Sequence, residues 1–246
     1  MKISGTLIFL FLSVFLSAQE KWPTTSGDLI INPIQHASMV WEWNGLTIYI
    51  DPVGDSSSYS SFSEPDLIFI THSHGDHLSN KTLENIHAKN AIFIVPNEVA
   101  DKLDVKFKNQ LHTMQNGDDL NVLGISIRCV PAYNYPVTSE SRHLKGVGNG
   151  YVISIGGKRA YVSGDTGNMP EMNSIKDIDF AFLSMNLPYT MDVDEAALAT
   201  KLIQPKVIYP YHYRGQGGYS DLIKFKALLK EESPKIEVRI LEWYSK

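Results

Sequence analysis

The chain has 246 residues, of which 43% are hydrophobic and 20% charged, so a disordered or low-complexity protein is excluded and a sizeable core is available. The net charge of −5, from 22 basic and 27 acidic residues, gives no general attraction to nucleic acid or anionic lipid. The single cysteine, Cys129, excludes an internal disulfide and a cysteine-based zinc knuckle. Any bound metal must therefore be held by histidines and carboxylates.

Residues 1–18 have the layout of a secretory signal peptide. Lys2 gives a basic start, residues 7–16 are apolar, and Ala18 is a small residue at the expected cleavage point. The alternative is a buried amino-terminal helix or strand. The apolar run is about half the roughly 20 residues that span a bilayer, so no stable membrane anchor is expected. We therefore expect an exported chain, secreted or periplasmic, whose functional domain is 19–246.

The remaining sequence alternates predicted strands and helices without a domain linker or internal repeat. Asn44-Gly45 is typical of a tight hairpin turn, and Cys129 lies in an apolar run where a buried side chain is expected. Helices are predicted at 79–88, after Pro96, at 192–203 and at 221–232. Strands are predicted at 36–43, 46–50, 67–71, 91–95, 121–130, 151–155, 160–163, 179–185, 207–209 and 236–243. This order favours one domain of mixed sheets covered by helices.

The strongest chemical signal directly follows the predicted buried strand 67–71. His72, His74, Asp76 and His77 lie within six residues, on a loop in which Gly75 permits a sharp turn. Imidazole and carboxylate are ligands of zinc and related divalent ions. The alternative, a polar surface loop that happens to hold three histidines, fits poorly in a chain with only 8 histidines. We therefore predict a metal site.

Two isolated polar residues follow other predicted strands. Asp165 follows the strand 160–163, and His212 follows the strand 207–209. Each alone has an ordinary explanation, since an aspartate often stabilises a turn and a lone histidine is often a packed or surface residue. Functional side chains also collect on loops at one edge of a scaffold. Beside the cluster at 72–77, this second interpretation is favoured.

These motifs together resemble the metallo-β-lactamase superfamily, over nearly the whole of 19–246. The resemblance includes Asp51-Pro52 after the early hairpin and the segment 188–192 before a helix. It is nearest to hydrolases like ascorbate-6-phosphate lactonase and N-acylphosphatidylethanolamine phospholipase D. The resemblance implies an α+β fold, namely a four-layer αββα sandwich with a dinuclear metal site along one edge.

By similarity to that family, the ligands divide into two sets. The resemblance implies that His72 and His74 bind the first metal and that Asp165 bridges both metals. The second metal would be bound by Asp76, His77 and His212. The expected cofactors are two divalent ions, zinc in the first instance, with manganese or iron as alternatives.

One position departs from the family pattern. A third histidine for the first metal usually follows a Pro-Ala pair, but here Pro131-Ala132 is followed by Tyr133 and Asn134. An amide oxygen is a weaker zinc ligand that suits harder ions. His143, in a nearby loop, is the alternative ligand, or else an exposed loop histidine. Asn134 and His143 are therefore both kept as candidate ligands.

This site predicts a metal-dependent hydrolase. Two divalent ions can share a water, lower its pKa toward 7 and so provide a metal-bridged hydroxide for attack on a carbonyl or phosphoryl centre. Asp76 would accept or relay a proton. The expected substrate is a small-molecule or lipid-like phosphodiester, lactone or related ester. A metal- or ligand-binding protein with weak or no catalysis is the alternative, and a β-lactamase is less favoured.

Tyrosines and an arginine follow the same predicted strand ends. Tyr133, Tyr189 and Arg214 are the candidate substrate-binding residues, because tyrosines and an arginine can grip a phosphate or carboxylate. The alternative is that the tyrosines merely pack at strand ends. His36 is assigned to a core role in an early strand and His87 to a solvated helix face, so neither is a predicted site residue.

Overall fold

A computed structural model describes residues 19–244, so the predicted signal peptide at 1–18 lies outside the described residues. The first half of this region forms a seven-stranded sheet in chain order, antiparallel from β1 to β4 and parallel from β4 to β7. Its strands are β1 (Glu20–Thr24), β2 (Gly27–Gln35), β3 (Ser38–Trp43), β4 (Leu46–Ile50), β5 (Leu67–Phe69), β6 (Ile92–Val95) and β7 (Leu111–Thr113).

The second half forms another seven-stranded sheet and a short ribbon. Their strands are β8 (Asp119–Val122), β9 (Ile125–Ala132), β10 (Gly148–Ile155), β11 (Lys158–Val162), β12 (Phe180–Ser184), β13 (Val207–Tyr211), β14 (Arg214–Gly215), β15 (Gly218–Tyr219) and β16 (Glu237–Val238). The sheet order is β16-β13-β12-β11-β10-β9-β8, parallel from β11 through β16 and antiparallel from β8 to β11. Strands β14 and β15 form the ribbon.

Four α-helices cover the outer faces of the sheets. They are α1 (Asn80–Asn85), α2 (Asn97–Lys102), α3 (Val193–Ile203) and α4 (Leu222–Glu232). Acidic residues begin α3 as predicted, and Asp192 and Glu195 form a capping box that satisfies free amide groups of its first turn. None of the helices between residues 19 and 244 is both long and apolar enough to cross a membrane.

The side-chain alternation of the strands produces four layers. Ile48 and Ile50 of β4 point into the core between the two sheets, while Tyr49 points to the outer face that α1 and α2 cover. In the second sheet, Ile153 of β10 joins the central core, whereas Val152 faces the layer of α3 and α4. The predicted α+β αββα sandwich is thereby confirmed, with three hydrophobic layers between its four layers of structure.

Several predicted elements need correction. The strand predicted at 36–43 begins at Ser38, and His36 lies instead in the β2–β3 turn with φ +55°. The strand predicted at 121–130 is two strands, because Leu123 and Gly124 both adopt positive φ in a hairpin turn. Strands β1, β2 and β7 were not predicted, and only Glu237–Val238 of the predicted 236–243 is a strand. Cys129 is buried between the sheets as expected.

Candidate metal centre

The predicted cluster forms at the ends of parallel strands from both sheets. In the first sheet, Asp51 follows β4 and His72 to His77 follow β5. In the second sheet, Asp165 follows β11 and His212 follows β13. Because the carboxyl ends of parallel strands share an edge, residues far apart in sequence meet there.

The ligand atoms of these residues lie close together. Three sets have all their ligand atoms within 4.8 Å of one another. The first is His72, His74 and His143, the second is His72, His77 and Asp165, and the third is His36, Asp76 and His212. The structure therefore brings together every histidine and aspartate that the sequence proposed for the site.

Asp165 lies between the two ends of the cluster. The first end is formed by His72, His74 and His143, and the second by Asp76, His77 and His212. Its Oδ2 is 3.3 Å from Nε2 of His143, and its Oδ1 is 3.4 Å from Nε2 of His77 and 3.5 Å from Nε2 of His212. At the second end, Nε2 of His212 is also 3.4 Å from Oδ2 of Asp76. Each carboxylate oxygen of Asp165 thus faces a different group of imidazoles.

A glycine allows Asp165 to come this close to the first sheet. Gly164 has φ +60°, and a Cβ atom built there would lie 3.0 Å from Cβ of Thr71 and 3.1 Å from the carbonyl oxygen of Asn149. Any larger residue would push the end of β11 away from Thr71 and from the histidines that follow it.

The contacts of three histidines favour a proton on Nδ1, which leaves the lone pair on Nε2. His77 donates from Nδ1 to Oδ2 of Asp51 at 2.8 Å, and His143 lies with Nδ1 3.2 Å from the carbonyl oxygen of Tyr189. The Thr71 hydroxyl donates to Asp51 at 2.8 Å, so it accepts from Nδ1 of His72 at 3.1 Å. When Nδ1 carries the proton, Nε2 carries the lone pair that coordinates a cation.

Asp51 was not predicted as a site residue, although it ends a strand as Asp165 does. It is completely buried, and its Oδ1 also accepts a hydrogen bond from the Thr71 backbone N–H at 2.7 Å. Asp51 has φ +45°, and His36 and His212, which also lie in the cluster, have φ +55° and +47°. Such left-handed conformations cost about 1–3 kcal/mol and persist where surrounding contacts enforce them.

The electrostatics of the cluster favour a bound cation. Although burial opposes a charge on His77, Asp165 and Asp51 raise its pKa well above the usual value. Burial likewise opposes a charge on Asp165, but His212 and His77 hold its pKa well below the usual range. Burial lowers the pKa of His72, helped by the charge of His77. The buried carboxylates thus attract positive charge, which a proton or a metal ion can supply.

Two further observations show that the residues fit metal ions. Nε2 of His143 and Oδ1 of Asp165 are buried without a hydrogen-bond partner in the described part of the chain. Tetrahedral zinc with bonds of about 2.0–2.1 Å places its ligand atoms about 3.3–3.4 Å apart. The separations here are similar, including 3.1 Å from Nε2 of His72 to Nδ1 of His74 and 3.1 Å between the Nε2 atoms of His77 and His212.

Asn134 does not take the predicted ligand position. Its amide oxygen accepts a hydrogen bond from the His143 backbone N–H at 2.8 Å, and its amide nitrogen donates to the Tyr189 carbonyl oxygen at 2.8 Å. His143, rather than Asn134, faces His72 and His74, with ring centroids 5.0 and 4.9 Å away. The side chain of Asn134 is occupied in holding the loop that carries His143.

The predicted substrate-binding residues lie in three different environments. Tyr133 is 2% exposed and donates its hydroxyl to Glu171 at 2.7 Å, so it is a packed residue, as the alternative interpretation held. Tyr189 is half-buried beside the cluster, with Arg142 stacked on its ring. Arg214 is exposed, and its guanidinium carbon lies 4.8 Å from the centroid of the Tyr244 ring.

The set-aside residue His36 belongs to the cluster. Its ring is 4.1 Å from that of His212, its Nδ1 is 2.8 Å from the Tyr244 hydroxyl, and its backbone carbonyl accepts from the His212 N–H. Burial and the neighbouring His212 lower the pKa of His36 to about 4. The sequence analysis assigned His36 to a strand and to a core role. It did so because the turn at 36–37 contains no glycine or proline that would mark it.

Comparisons with known proteins give relatives over most of the chain. The model of the Beta-lactamase superfamily domain matches residues 31–212. A UPF0173 metal-dependent hydrolase of Methanopyrus kandleri is 32% identical over 220 residues, which cover 84% of this chain and 94% of that relative. The named activity of this relative is metal-dependent hydrolysis.

Solved structures agree in fold. A proposed metal-dependent hydrolase of Parabacteroides distasonis is 36% identical with a TM-score of 0.80, covering 92% of this chain and 99% of that one. Igni18, a metallo hydrolase of the archaeon Ignicoccus hospitalis, is 28% identical with a TM-score of 0.73, covering 88% and 96%.

The relatives correct the predicted signal peptide and periplasmic location. The curated relatives are mostly archaeal or Gram-positive, and no outer membrane bounds a periplasm in such cells. The comparison therefore gives neither feature any support. Export in general stays a prediction.

Proposed function

Because the chain belongs to the metallo-β-lactamase superfamily of metal-dependent hydrolases, we propose that it hydrolyses a phosphodiester, a lactone or a related ester of a small molecule. The proposed site holds two divalent ions, zinc first and manganese or iron as alternatives. The observation that carries the proposal is the position of Asp165, with one carboxylate oxygen toward each end of the histidine cluster.

The proposed ligands divide as the family resemblance implies, with His143 added to the first set. His72, His74 and His143 would hold one ion, and Asp76, His77 and His212 the other, with Asp165 shared. His143 thus supplies the imidazole that Asn134 lacks, which removes the main reason for regarding the chain as a binding protein with weak catalysis. Divalent ions at such a site make water a nucleophile near neutral pH and stabilise negative charge on a carbonyl or phosphoryl oxygen.

Hydrogen bonds within the chain orient the proposed histidine ligands, and nearby histidines keep the Asp76 carboxylate ionised. Asp51 fixes the ring of His77, and Thr71 fixes that of His72, by the hydrogen bonds described above. Asp76 is the candidate proton acceptor, because its side chain is 43% exposed at the solvent side of His212. Although burial opposes its charge, the hydrogen bond from His212 and the charge of His77 hold the pKa of Asp76 below its usual range, so it stays ionised.

Catalysis by the cysteine thiol has no support in the structure. Cys129 lies in the core between the sheets, and burial raises the pKa of its thiol to about 12. A thiol of that pKa holds almost no nucleophilic thiolate at neutral pH. A water molecule is therefore the proposed nucleophile.

A hydrolysis screen tests the proposal. Purified protein loaded with zinc, manganese or iron is assayed with bis(4-nitrophenyl) phosphate, a γ-lactone and a β-lactam. His74→Ala should lower kcat/KM by about 100-fold or more, because a metal ligand is lost. His112→Ala, at an exposed histidine of β7, is the matched control and should keep full activity. Activity that survives His74→Ala would refute the metal mechanism, and cleavage of the β-lactam alone would make the protein a β-lactamase.

A further inference from the structure

We propose that Arg142 recognises an anionic group of the substrate, a carboxylate or a phosphate. This group is at a distance from the bond that is cleaved. The inference rests on the proposed function, because it names a feature of the substrate of the same site. The sequence placed the anion-binding arginine at Arg214, whereas the structure places a different arginine at the mouth of the metal centre.

The cavity beside the cluster carries the inference. It has a volume of about 90 Å³, and Arg142 lines it. The other charged or ligating lining residues are His72, His74, His143, Asp165 and Glu98. A substrate that reaches the cluster through this opening therefore passes the guanidinium group.

In the described part of the chain, no partner occupies the donors of the Arg142 guanidinium. Within residues 19–244, Arg142 forms neither an ion pair nor a side-chain hydrogen bond, and its guanidinium carbon lies 4.9 Å from the centroid of the Tyr189 ring. Stacking on an aromatic face orients the plane of the group and leaves its edge N–H groups pointing outward. That edge matches the two oxygens of a carboxylate or phosphate.

Arg142 is held at a fixed place relative to the cluster. It directly precedes His143, whose backbone N–H and ring bind Asn134 and the Tyr189 carbonyl oxygen. The stacking partner Tyr189 therefore also anchors the proposed metal ligand. An anion bound at Arg142 would be held at a set distance from the metal centre, which is the requirement for selecting one substrate by a remote group.

Glu98, which also lines the cavity, does not neutralise the positive charge of Arg142. Glu98 is bound by Lys102 at 2.8 Å, and Lys102 also donates to the Ser73 hydroxyl at 2.6 Å. Among residues 19–244, nothing pairs with the positive charge of Arg142 at the opening. Arg214 stacks similarly on Tyr244 but does not line this cavity.

Matched esters test the proposal. 4-Nitrophenyl hydrogen adipate carries a free carboxylate, and 4-nitrophenyl methyl adipate has the same length with that charge masked. With Arg142→Met, kcat/KM for the charged ester should fall about 10- to 100-fold, the usual effect of losing hydrogen bonds to a charged group, while the masked ester changes by less than about threefold. Arg142→Lys should recover part of the loss, since the charge remains without the planar edge. Arg128→Met removes an exposed arginine that pairs with Asp119 and is the control.

A binding measurement separates this proposal from the proposed function. The 4-nitroanilides of the same two acids resist hydrolysis and are titrated calorimetrically into metal-loaded protein. The Kd of the charged anilide should rise by the same factor in Arg142→Met, and a phosphonate of equal length distinguishes phosphate from carboxylate preference. Equal losses for charged and masked probes, or no loss for any charged probe, would overturn the role of Arg142. Failure of the wild type to cleave either ester would count against the ester hydrolase alone, because the calorimetry still decides the role of Arg142.

Discussion

Asn134 provides the sharpest test of how the site is built, because it could act as a metal ligand or as the residue that positions His143. Asn134→Ala removes both 2.8 Å hydrogen bonds, which leaves the His143 N–H without a partner and the Tyr189 carbonyl oxygen with only the His143 ring. An unsatisfied polar group of this kind costs about 1–3 kcal/mol and a lost hydrogen bond about 0.5–1.5 kcal/mol, so the loss of stability should be about 1.5–4.5 kcal/mol. For a chain of this length, that loss corresponds to a fall in Tm of roughly 3–18 °C.

The metal affinity should fall as well. Partners that orient a metal ligand typically contribute 10- to 100-fold in affinity, and Asn134→Ala should weaken zinc binding by about that factor. The assay is competition with a fluorescent zinc chelator, combined with thermal unfolding of the zinc-free protein. Asn121→Ala, at an exposed position of β8, is the matched control: it loses only an exposed hydrogen bond from Ser126, so zinc binding should not change and Tm should fall by less than in Asn134→Ala.

Asn134→Asp separates the two roles. The carboxylate keeps an acceptor for the His143 N–H but loses the donor to Tyr189, so a positioning residue predicts weaker zinc binding than in the wild type. A ligand predicts the opposite, because a carboxylate binds zinc better than an amide does. Tighter zinc binding by Asn134→Asp, or wild-type affinity and Tm in Asn134→Ala, would refute the positioning role.

Three further predictions concern other parts of the molecule. Asp51→Asn should weaken zinc binding about 10- to 100-fold in the same chelator assay, because the hydrogen bond that orients His77 is altered, and unchanged affinity would contradict this. Burial opposes the charge of Asp179, but Lys206 and a backbone N–H lower its pKa below 3.8, so its stabilising effect is full well above pH 3.8 and disappears as the pH falls through the lowered pKa. The difference in free energy of unfolding between wild type and Asp179→Asn should therefore shrink between pH 7 and pH 3, and a constant difference in denaturant titrations would argue against it. Cys129 should react with a thiol reagent only as fast as the protein unfolds, since it is buried; rapid labelling of folded protein would contradict this.

The sequence predicted those parts of the site whose signal is local. The buried strand β5 and the four candidate ligands directly after it form one contiguous pattern, and strand ends identified Asp165 and His212 as candidates in the same way. A single domain of mixed sheets covered by helices also followed, because alternating apolar residues and hairpin turns are read over a few residues, whereas the four-layer arrangement was implied by the family resemblance.

The remaining parts depend on contacts between distant residues. His143 faces the cluster because of hydrogen bonds to Asn134 and Tyr189, which lie 9 and 46 residues away. No local pattern could choose between Asn134 and His143 before these contacts were known. Arg142 was not predicted for the same reason, since its proposed role depends on the ring of Tyr189, 47 residues away, and on the cavity that Arg142 lines.

The central claim is that side chains from both sheets hold two metal ions, and anomalous X-ray scattering tests it directly. Crystals of zinc-loaded protein measured on either side of the zinc absorption edge should show two strong peaks. One is expected among His72, His74 and His143, and the other among Asp76, His77 and His212, with Asp165 between the peaks. Zinc-supplemented crystals without anomalous density at these residues would contradict the account.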